Sequence, residues 1–142
     1  MAAANGGKKF IQQVLKVMCE GGGFDANVSK VRVISGGGGK CVAEMTVEKE
    51  HRNRGGTLHG GLTATLVDVV STVALMSTER AVKGVSVDLN VSYISAAKEG
   101  ETIVIKADTL KVGKNLAFLT VDITNKESGK LIAKGRQTKF VG

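Results

Sequence analysis

Residues 53–78 read NRGGTLHGGLTATLVDVVSTVALMST. A polar loop runs into His59-Gly60-Gly61 and then into a helix that is apolar almost all round. Leu62, Ala64, Leu66, Val67, Val69, Val70, Val73, Ala74 and Leu75 leave no clean polar face. Such a helix is a buried one. It is short for a membrane span and carries a carboxylate, so it reads as the central helix of a soluble domain, wrapped by other elements. Asp68 is the only formal charge between Leu62 and Thr78. A buried carboxylate must be paired, hydrogen-bonded or protonated, and such groups concentrate at functional sites. The glycines before the helix let a ligand approach the backbone. The first helical amides point outward, ready for an oxygen carrying negative charge.

What wraps this helix is legible on both sides of it. Upstream, residues 28–35 (VSKVRVIS) and 40–47 (KCVAEMTV) alternate with period two, joined as a hairpin by the glycine run 36–39. Cys41, Ala43, Met45 and Val47 share one face. Downstream, residues 85–94, 102–110, 116–124 and 131–140 continue the strand pattern. Lys111–Asn115 and Asn125–Lys130 are hairpin turns in length and chemistry. In 85–94, Val85, Val87, Leu89 and Val91 fall on one face, with Ser86, Asp88, Asn90 and Ser92 on the other. Phe10, Ile11, Val14, Leu15, Val17 and Met18 predict a short amphipathic helix over about residues 8–19, ended by Gly21-Gly22-Gly23. Residues 1–8 read as a mobile start. The expected fold is α+β: one domain over residues 1–142, an antiparallel sheet of about six strands curled around a long central helix. A second copy is expected to cover part of that helix.

The chain is long enough for one domain with a sizeable core. A formal charge of +7 suggests a polyanionic partner. One Tyr, four Phe, no Trp and no recognisable nucleic-acid motif weaken a nucleic-acid reading. Cys19 and Cys41 make no metal spacing, and no secretory signal precedes them, so both are expected reduced. Residues 1–19 hold three lysines and no acid, a weak echo of a mitochondrial presequence. The expected location is cytoplasmic, mitochondrial or both.

The run Asn53…Gly55-Gly56-Thr57-Leu58-His59-Gly60-Gly61-Leu62…Asp68 resembles the phenylacetate-type hotdog thioesterases. The likeness extends through Gly84-Val85-Ser86-Val87-Asp88, Lys98-Glu99-Gly100-Glu101 and Asn125–Ala133, and covers nearly the whole chain from about residue 10. It implies a hotdog fold and hydrolysis of fatty acyl-coenzyme A thioesters of medium to long chain. Coenzyme A is then part of the substrate, and neither cofactor nor metal is expected. The resemblance also implies a dimer of dimers and, as a protein partner, a phosphatidylcholine transfer protein. One departure stands out: Ala96 occupies a position where the family commonly has proline.

Thioester hydrolysis needs a polarised carbonyl and an activated water. The Gly60 amide can donate to the thioester oxygen, with the helix dipole favouring the developing charge. The Asn53 amide is a candidate second donor. Asp68 is the candidate base or nucleophile. Ser86 either holds the attacking water or orients Asp68. The resemblance assigns these same four positions and adds His59 as a positioning group. Each has a plainer reading. Gly60 and Gly61 can serve a tight turn, Asn53 a loop, His59 a helix cap or a satisfied core histidine, and Ser86 the polar face of a strand. Asp68 is the exception, since a carboxylate inside a buried helix is costly as structure alone.

For coenzyme A, the resemblance points to Ser86, Asp88, Tyr93, Ile94, Ser95, Ala96, Ala97 and Lys98, then Lys111, Val112, Gly113, Lys114, Asn115 and Leu116, and Phe140. Charge alone adds Arg136 and Lys139 as cations on late strands, although a lone surface lysine is more often merely solvated. Spacing constrains assembly. Gly60 and Asp68 are eight residues apart, roughly 12 Å along a helix. Donor and base must each lie about 3 Å from one reacting group. Two antiparallel helices across a two-fold axis can meet that demand, each giving Gly60 to one site and Asp68 to the other. The competing readings are a hotdog hydratase or dehydratase, and a non-catalytic acyl-coenzyme A binding module.

Overall fold

The computed structural model describes residues 7–142. The expected mobile start therefore lies mostly outside the described residues, and Lys8 is already helical. Two helices and six strands follow: α1 (Lys8–Glu20), β1 (Arg32–Gly37), β2 (Lys40–Thr46), α2 (Gly60–Met76), β3 (Val85–Tyr93), β4 (Thr102–Val112), β5 (Leu116–Asn125) and β6 (Leu131–Phe140). The strands form one antiparallel sheet in the order β1-β2-β4-β5-β6-β3. Hairpins join β1 to β2, β4 to β5 and β5 to β6, as the turn residues predict. Gly38 and Gly39 take positive φ at the first of them, a conformation open to glycine.

The sheet curls around α2, which packs against β2, β3, β4, β5 and β6. The inward positions of the long strands are apolar and buried: Ile103, Ile105 and Ala107 on β4, and Ala117, Leu119, Val121 and Ile123 on β5. Ile103, Ile105, Ala107, Val121 and Ile123 meet Leu66, Val67, Val70, Val73 and Ala74 of α2 in the core, while Ala117 and Leu119 pack with Leu75 and Val141 in a smaller cluster. Gly135 of β6 lets the sheet come close to the helix. A Cβ there would lie 2.6 Å from a Val67 methyl. Helix α1 buries Ile11, Leu15 and Cys19, one face at four-residue spacing, against β1 and α2. No helix among the described residues is long and apolar enough to cross a membrane.

Three expectations need correction. The first strand begins at Arg32, not at residue 28. Phe24–Val28 forms a 3-10 helix, held by the Asn27 side chain donating to the Phe24 carbonyl at 2.8 Å. Val28 and Val31 are buried by a turn, Val31 N–H to Val28 carbonyl, rather than by strand alternation.

The second concerns β3. Its register against β6 shifts between Ser86 and Asp88, a β-bulge at Val87. Residues opposite one another in an antiparallel pair point to the same side. Ser86 stands opposite inward-facing Lys139, whereas Asp88 stands opposite Thr138 on the outer face. Ser86 and Asp88 therefore do not share a face, and neither do Val85 and Leu89.

The third concerns α2. It is not covered all round: Gly61 is exposed, and Ala64, Thr65 and Asp68 are only half-buried. These positions recur at helical spacing, so one stripe of the helix escapes the sheet.

Candidate active site

The sequence-marked residues gather at two places along α2. At its start, His59 is the N-cap. Its backbone is extended (φ −65, ψ 134), and its Nδ1 accepts from the Gly61 and Leu62 N–H groups at 2.9 and 3.3 Å. The His59 N–H donates to the His51 carbonyl, and the Thr63 N–H makes the first helical bond, to the His59 carbonyl. Three of the four open amides of the first turn are thus satisfied. The Gly60 N–H, at the first helical position, has no partner among the described residues. Of the readings for His59, the cap is present and the core histidine is not, since the residue is exposed. Its Nε2 remains for a partner outside the cap.

The glycines are not explained by turn geometry, since neither Gly60 nor Gly61 has positive φ. Gly61 is required by the cap, because a Cβ there would lie 2.9 Å from the His59 ring. At Gly60 a Cβ would meet only the Tyr93 ring, at ordinary contact distances of 3.5–3.7 Å. Tyr93 donates its hydroxyl to the Gly60 carbonyl at 2.7 Å, so the C-terminal end of β3 borders the helix start.

The loop before the helix is built around Asn53. Its Oδ1 accepts from the Gly55 and Thr57 N–H groups, and its Nδ2 donates to the Thr57 hydroxyl at 3.0 Å. This ordering is the plain loop role, and it leaves one Nδ2 hydrogen uncommitted. Backbone bonds tie the loop to the segment after β3: Leu58 N–H to Ala97 carbonyl and Glu99 N–H to Gly56 carbonyl. Asn53, His59, Gly60 and Tyr93–Lys98 are therefore one neighbourhood. His51 lies beneath it, buried in the loop, and its carbonyl accepts the His59 N–H. The sequence reading passed over His51.

Two turns further along α2 is Asp68. Its Oδ1 accepts from the Gln137 side-chain amide at 2.7 Å, and the same Nε2 donates to the Ser86 hydroxyl at 2.7 Å. The bulge in β3 makes this possible by turning Ser86 inward. Asp68 and Ser86 share an open cleft with Asp25, Thr72, Lys83 and Lys139. His59 and Gly61 line a different cleft, with Arg52 and Glu50. One chain thus brings Asp68 to Ser86 in one cleft and leaves His59 and Gly61, at the start of α2, in another.

Lys139 departs from its expected role. Only 3% of it is exposed, and its Nζ donates to the Thr72 hydroxyl at 2.6 Å. It is an internal group beside Asp68, not a cation free to meet a nucleotide. Burial pushes its amine below the usual lysine value, Asp68 pulls it back up, and Lys83 pushes it further down. The folded chain then holds this proton less readily than the unfolded chain. The resulting penalty is present at pH below the folded value and is relieved as pH rises toward about 10.4. Lys139→Met should therefore be more stable than wild type in urea at pH 7, and the gap should narrow by pH 10. A gap independent of pH would show that the amine carries no such cost.

The remaining expected positions lie at the far side of the sheet. Leu116 pairs with Phe140 across β5 and β6, beside a turn that is shorter than expected, residues 113–115, because Lys111 and Val112 belong to β4 and pair with Phe118 and Ala117. Arg80, which the sequence reading treated only as part of a turn, clamps this corner. Its guanidinium donates to the Gly113 carbonyl at 2.8 Å, to that of Lys114 at 3.2 Å and to that of Val141 at 2.6 Å. Lys111 and Lys114 are exposed and form no ion pair among the described residues. Asp88 is exposed on the outer face of β3. Cys19 and Cys41 are free and buried. Burial pushes the Cys41 thiol up to about 12, so it is no nucleophile.

The thioesterase superfamily model matches residues 55–132, from the glycines before the cap into β6. Acyl-coenzyme A thioesterase 13 of Mus musculus is 58% identical over 132 residues, covering 93% of this chain and 94% of that protein. The crystal structure of zebra fish thioesterase superfamily member 2 superposes with a TM-score of 0.93 at 56% identity, covering 95% of this chain and 98% of that one. A hypothetical thioesterase protein of Streptococcus pneumoniae TIGR4, solved with coenzyme A, superposes with a TM-score of 0.74 at 28% identity, over 79% and 85% of the two chains.

Proposed function

The chain belongs to the thioesterase superfamily, and from that premise we propose that it hydrolyses fatty acyl-coenzyme A thioesters to free acid and coenzyme A, at sites shared between two copies. One observation carries the reading: α2 presents an amide at Gly60 that has no partner among the described residues and a hydrogen-bonded carboxylate at Asp68, two turns apart. The Gly60 N–H and the spare Nδ2 hydrogen of Asn53 receive the thioester oxygen as it gains charge. The positive end of the α2 dipole adds to this. Asp68 takes a proton from a water as that water attacks the carbonyl carbon. Ser86 binds the same water. The thiolate of coenzyme A then leaves. His59 acts by holding the first turn of α2 in place.

Sharing of sites is supported by what one chain leaves open. The uncovered stripe Gly61, Ala64, Thr65, Asp68 is made of small residues that allow another helix to come close. The edge strand β3 has no partner on its outer side among the described residues, and Val85 is 68% exposed and Val87 59%. Long bare edges of this kind invite pairing with another chain. A two-fold axis beside β3 joins the two edges and sets the two α2 stripes against each other. Pairing of such dimers through the outer sheet face, where Leu116, Phe118 and Phe140 are exposed, is the further assembly we propose. Medium to long acyl chains suit the apolar walls that α2 and β3 would form at this junction. A phosphatidylcholine transfer protein as partner rests on the family likeness. The two unpaired cysteines support a reducing compartment, cytoplasmic or mitochondrial.

The test is thiol release from acyl-coenzyme A esters of graded length. Release of free thiol with matching fatty acid supports the reading. Binding without release would leave a binding module, and a new or lost double bond without thiol would make it a hydratase.

Lys111, near the end of β4, and Lys114, in the turn held by Arg80, are assigned to the phosphates of coenzyme A. Contacts at the nucleotide end are equal in ground and transition states, so they affect KM. Replacing both lysines with Gln should raise KM, flatten its dependence on salt, and leave kcat nearly unchanged. An unchanged KM at low salt would return them to ordinary surface.

A further inference from the structure

Gln137 stands at an inward position of β6 and is 2% exposed. A buried side-chain amide must find partners for its donors and its acceptor. Here Oε1 accepts the Ser71 hydroxyl at 2.6 Å, while Nε2 donates to Asp68 Oδ1 and to Ser86 Oγ, each at 2.7 Å. The direction of these bonds is fixed by chemistry. An ionised carboxylate only accepts, so the NH₂ end must face Asp68 and the carbonyl must face Ser71. Ser71 in turn is a helix residue, three positions after Asp68. Both hydrogens of Nε2 are then spent, one on each candidate catalytic group. Ser86 accepts on its oxygen, which leaves its own hydrogen free to donate.

We propose that Gln137 is a positioning residue for hydrolysis: it fixes one oxygen of Asp68 and dictates that Ser86 acts as a donor to the attacking water. Oδ1 is occupied by Gln137, so Oδ2 is the oxygen that takes the proton from that water. The Ser86 hydrogen binds one lone pair of the water, and the other lone pair attacks the thioester carbon. The inference rests on the assignment of Asp68 as base, made above.

Three variants test it, each assayed by thiol release from a saturating long-chain acyl-coenzyme A. Gln137→Met keeps volume and removes both donors. It should lose about 10- to 100-fold in kcat, the worth of hydrogen bonds to a charged group, at nearly unchanged KM. Gln137→Glu gives a signature that a merely structural role would not. The introduced carboxyl can donate to Asp68 only while it holds a proton, and two adjacent carboxyls share one proton over a limited pH range. This variant should be poor at neutral pH and regain kcat on acidification, where wild type does not. Asp68→Asn is assayed in parallel. If it stays active, the base assignment itself has failed, and that result is read from this variant alone. If it is inactive while Gln137→Met keeps wild-type kcat, only the role of Gln137 is overturned. A Gln137→Glu profile of wild-type shape overturns that role too, whether or not Gln137→Met folds.

Discussion

Asp68→Asn is expected to bind acyl-coenzyme A and to fail in hydrolysing it. Loss of a general base typically costs about 10²–10⁴ in rate. Asparagine is the appropriate replacement here, because it keeps an oxygen where Gln137 donates to Oδ1 and changes only the other arm. The fold should be preserved, since the Asp68 backbone carbonyl, which accepts from Thr72 at 2.7 Å and Ser71 at 3.2 Å, is untouched. Binding is measured by titration with a substrate the variant does not turn over, and chemistry by single-turnover thiol release. A variant with near wild-type single-turnover rate would remove Asp68 from the mechanism. One that no longer binds would make its role structural.

The central helix was legible because its hydrophobicity had no polar face, and because His59-Gly60-Gly61 stood directly before it. The inward positions of β2 were equally legible, since period-two alternation holds there without a break: Cys41, Ala43, Met45 and Val47 are all buried. Alternation failed at β3 for a definite reason. A bulge at Val87 exchanges faces partway along the strand, and a single extra residue leaves no mark in a pattern of valines and serines. Strict alternation places Ser86 and Asp88 on one face. The bulge sends Ser86 to Gln137 and Asp88 to the outer surface.

Gln137 itself had a signal that went unused. Counting by twos from buried Ala133 through Gly135 puts residues 137 and 139 inside. A glutamine and a lysine at inward positions need partners, and the half-buried Asp68 on the facing helix is where to look for them. The first strand misled in the opposite sense. Val28 and Val31 read as strand residues, but their spacing of three belongs to a turn and a 3-10 helix. The anchoring of the turn after β4 by Arg80 has no counterpart in sequence spacing, because the two segments lie more than thirty residues apart.

The shared site makes a sharper demand than any single substitution. Gly60 and Asp68 sit on one unbroken helix, eight residues apart, and Asp68 opens into a cleft that the first turn of the helix does not line. A variant is needed that deletes the Gly60 donor and nothing else. Gly60→Pro does this. Proline is well suited to the first position of a helix, where its missing N–H breaks no helical bond. His59 before it already has the extended ψ that a residue preceding proline adopts. The Gly60 carbonyl and its bond from Tyr93 remain. Loss of one such donor costs about 10²–10³ in rate. Gly60→Pro and Asp68→Asn, each folded and dimeric, should thus be nearly inactive as homodimers. Mixed and allowed to exchange subunits, they form heterodimers. In a heterodimer one site takes Gly60 from the Asp68→Asn chain and Asp68 from the Gly60→Pro chain, and both are native. The other site carries both lesions. Activity should return to about half that of wild type per heterodimer, rising in proportion to the heterodimer fraction measured by native mass spectrometry. If each chain instead completed its own site, every site in the mixture would carry one lesion. Verified heterodimers would then stay as inactive as their parents.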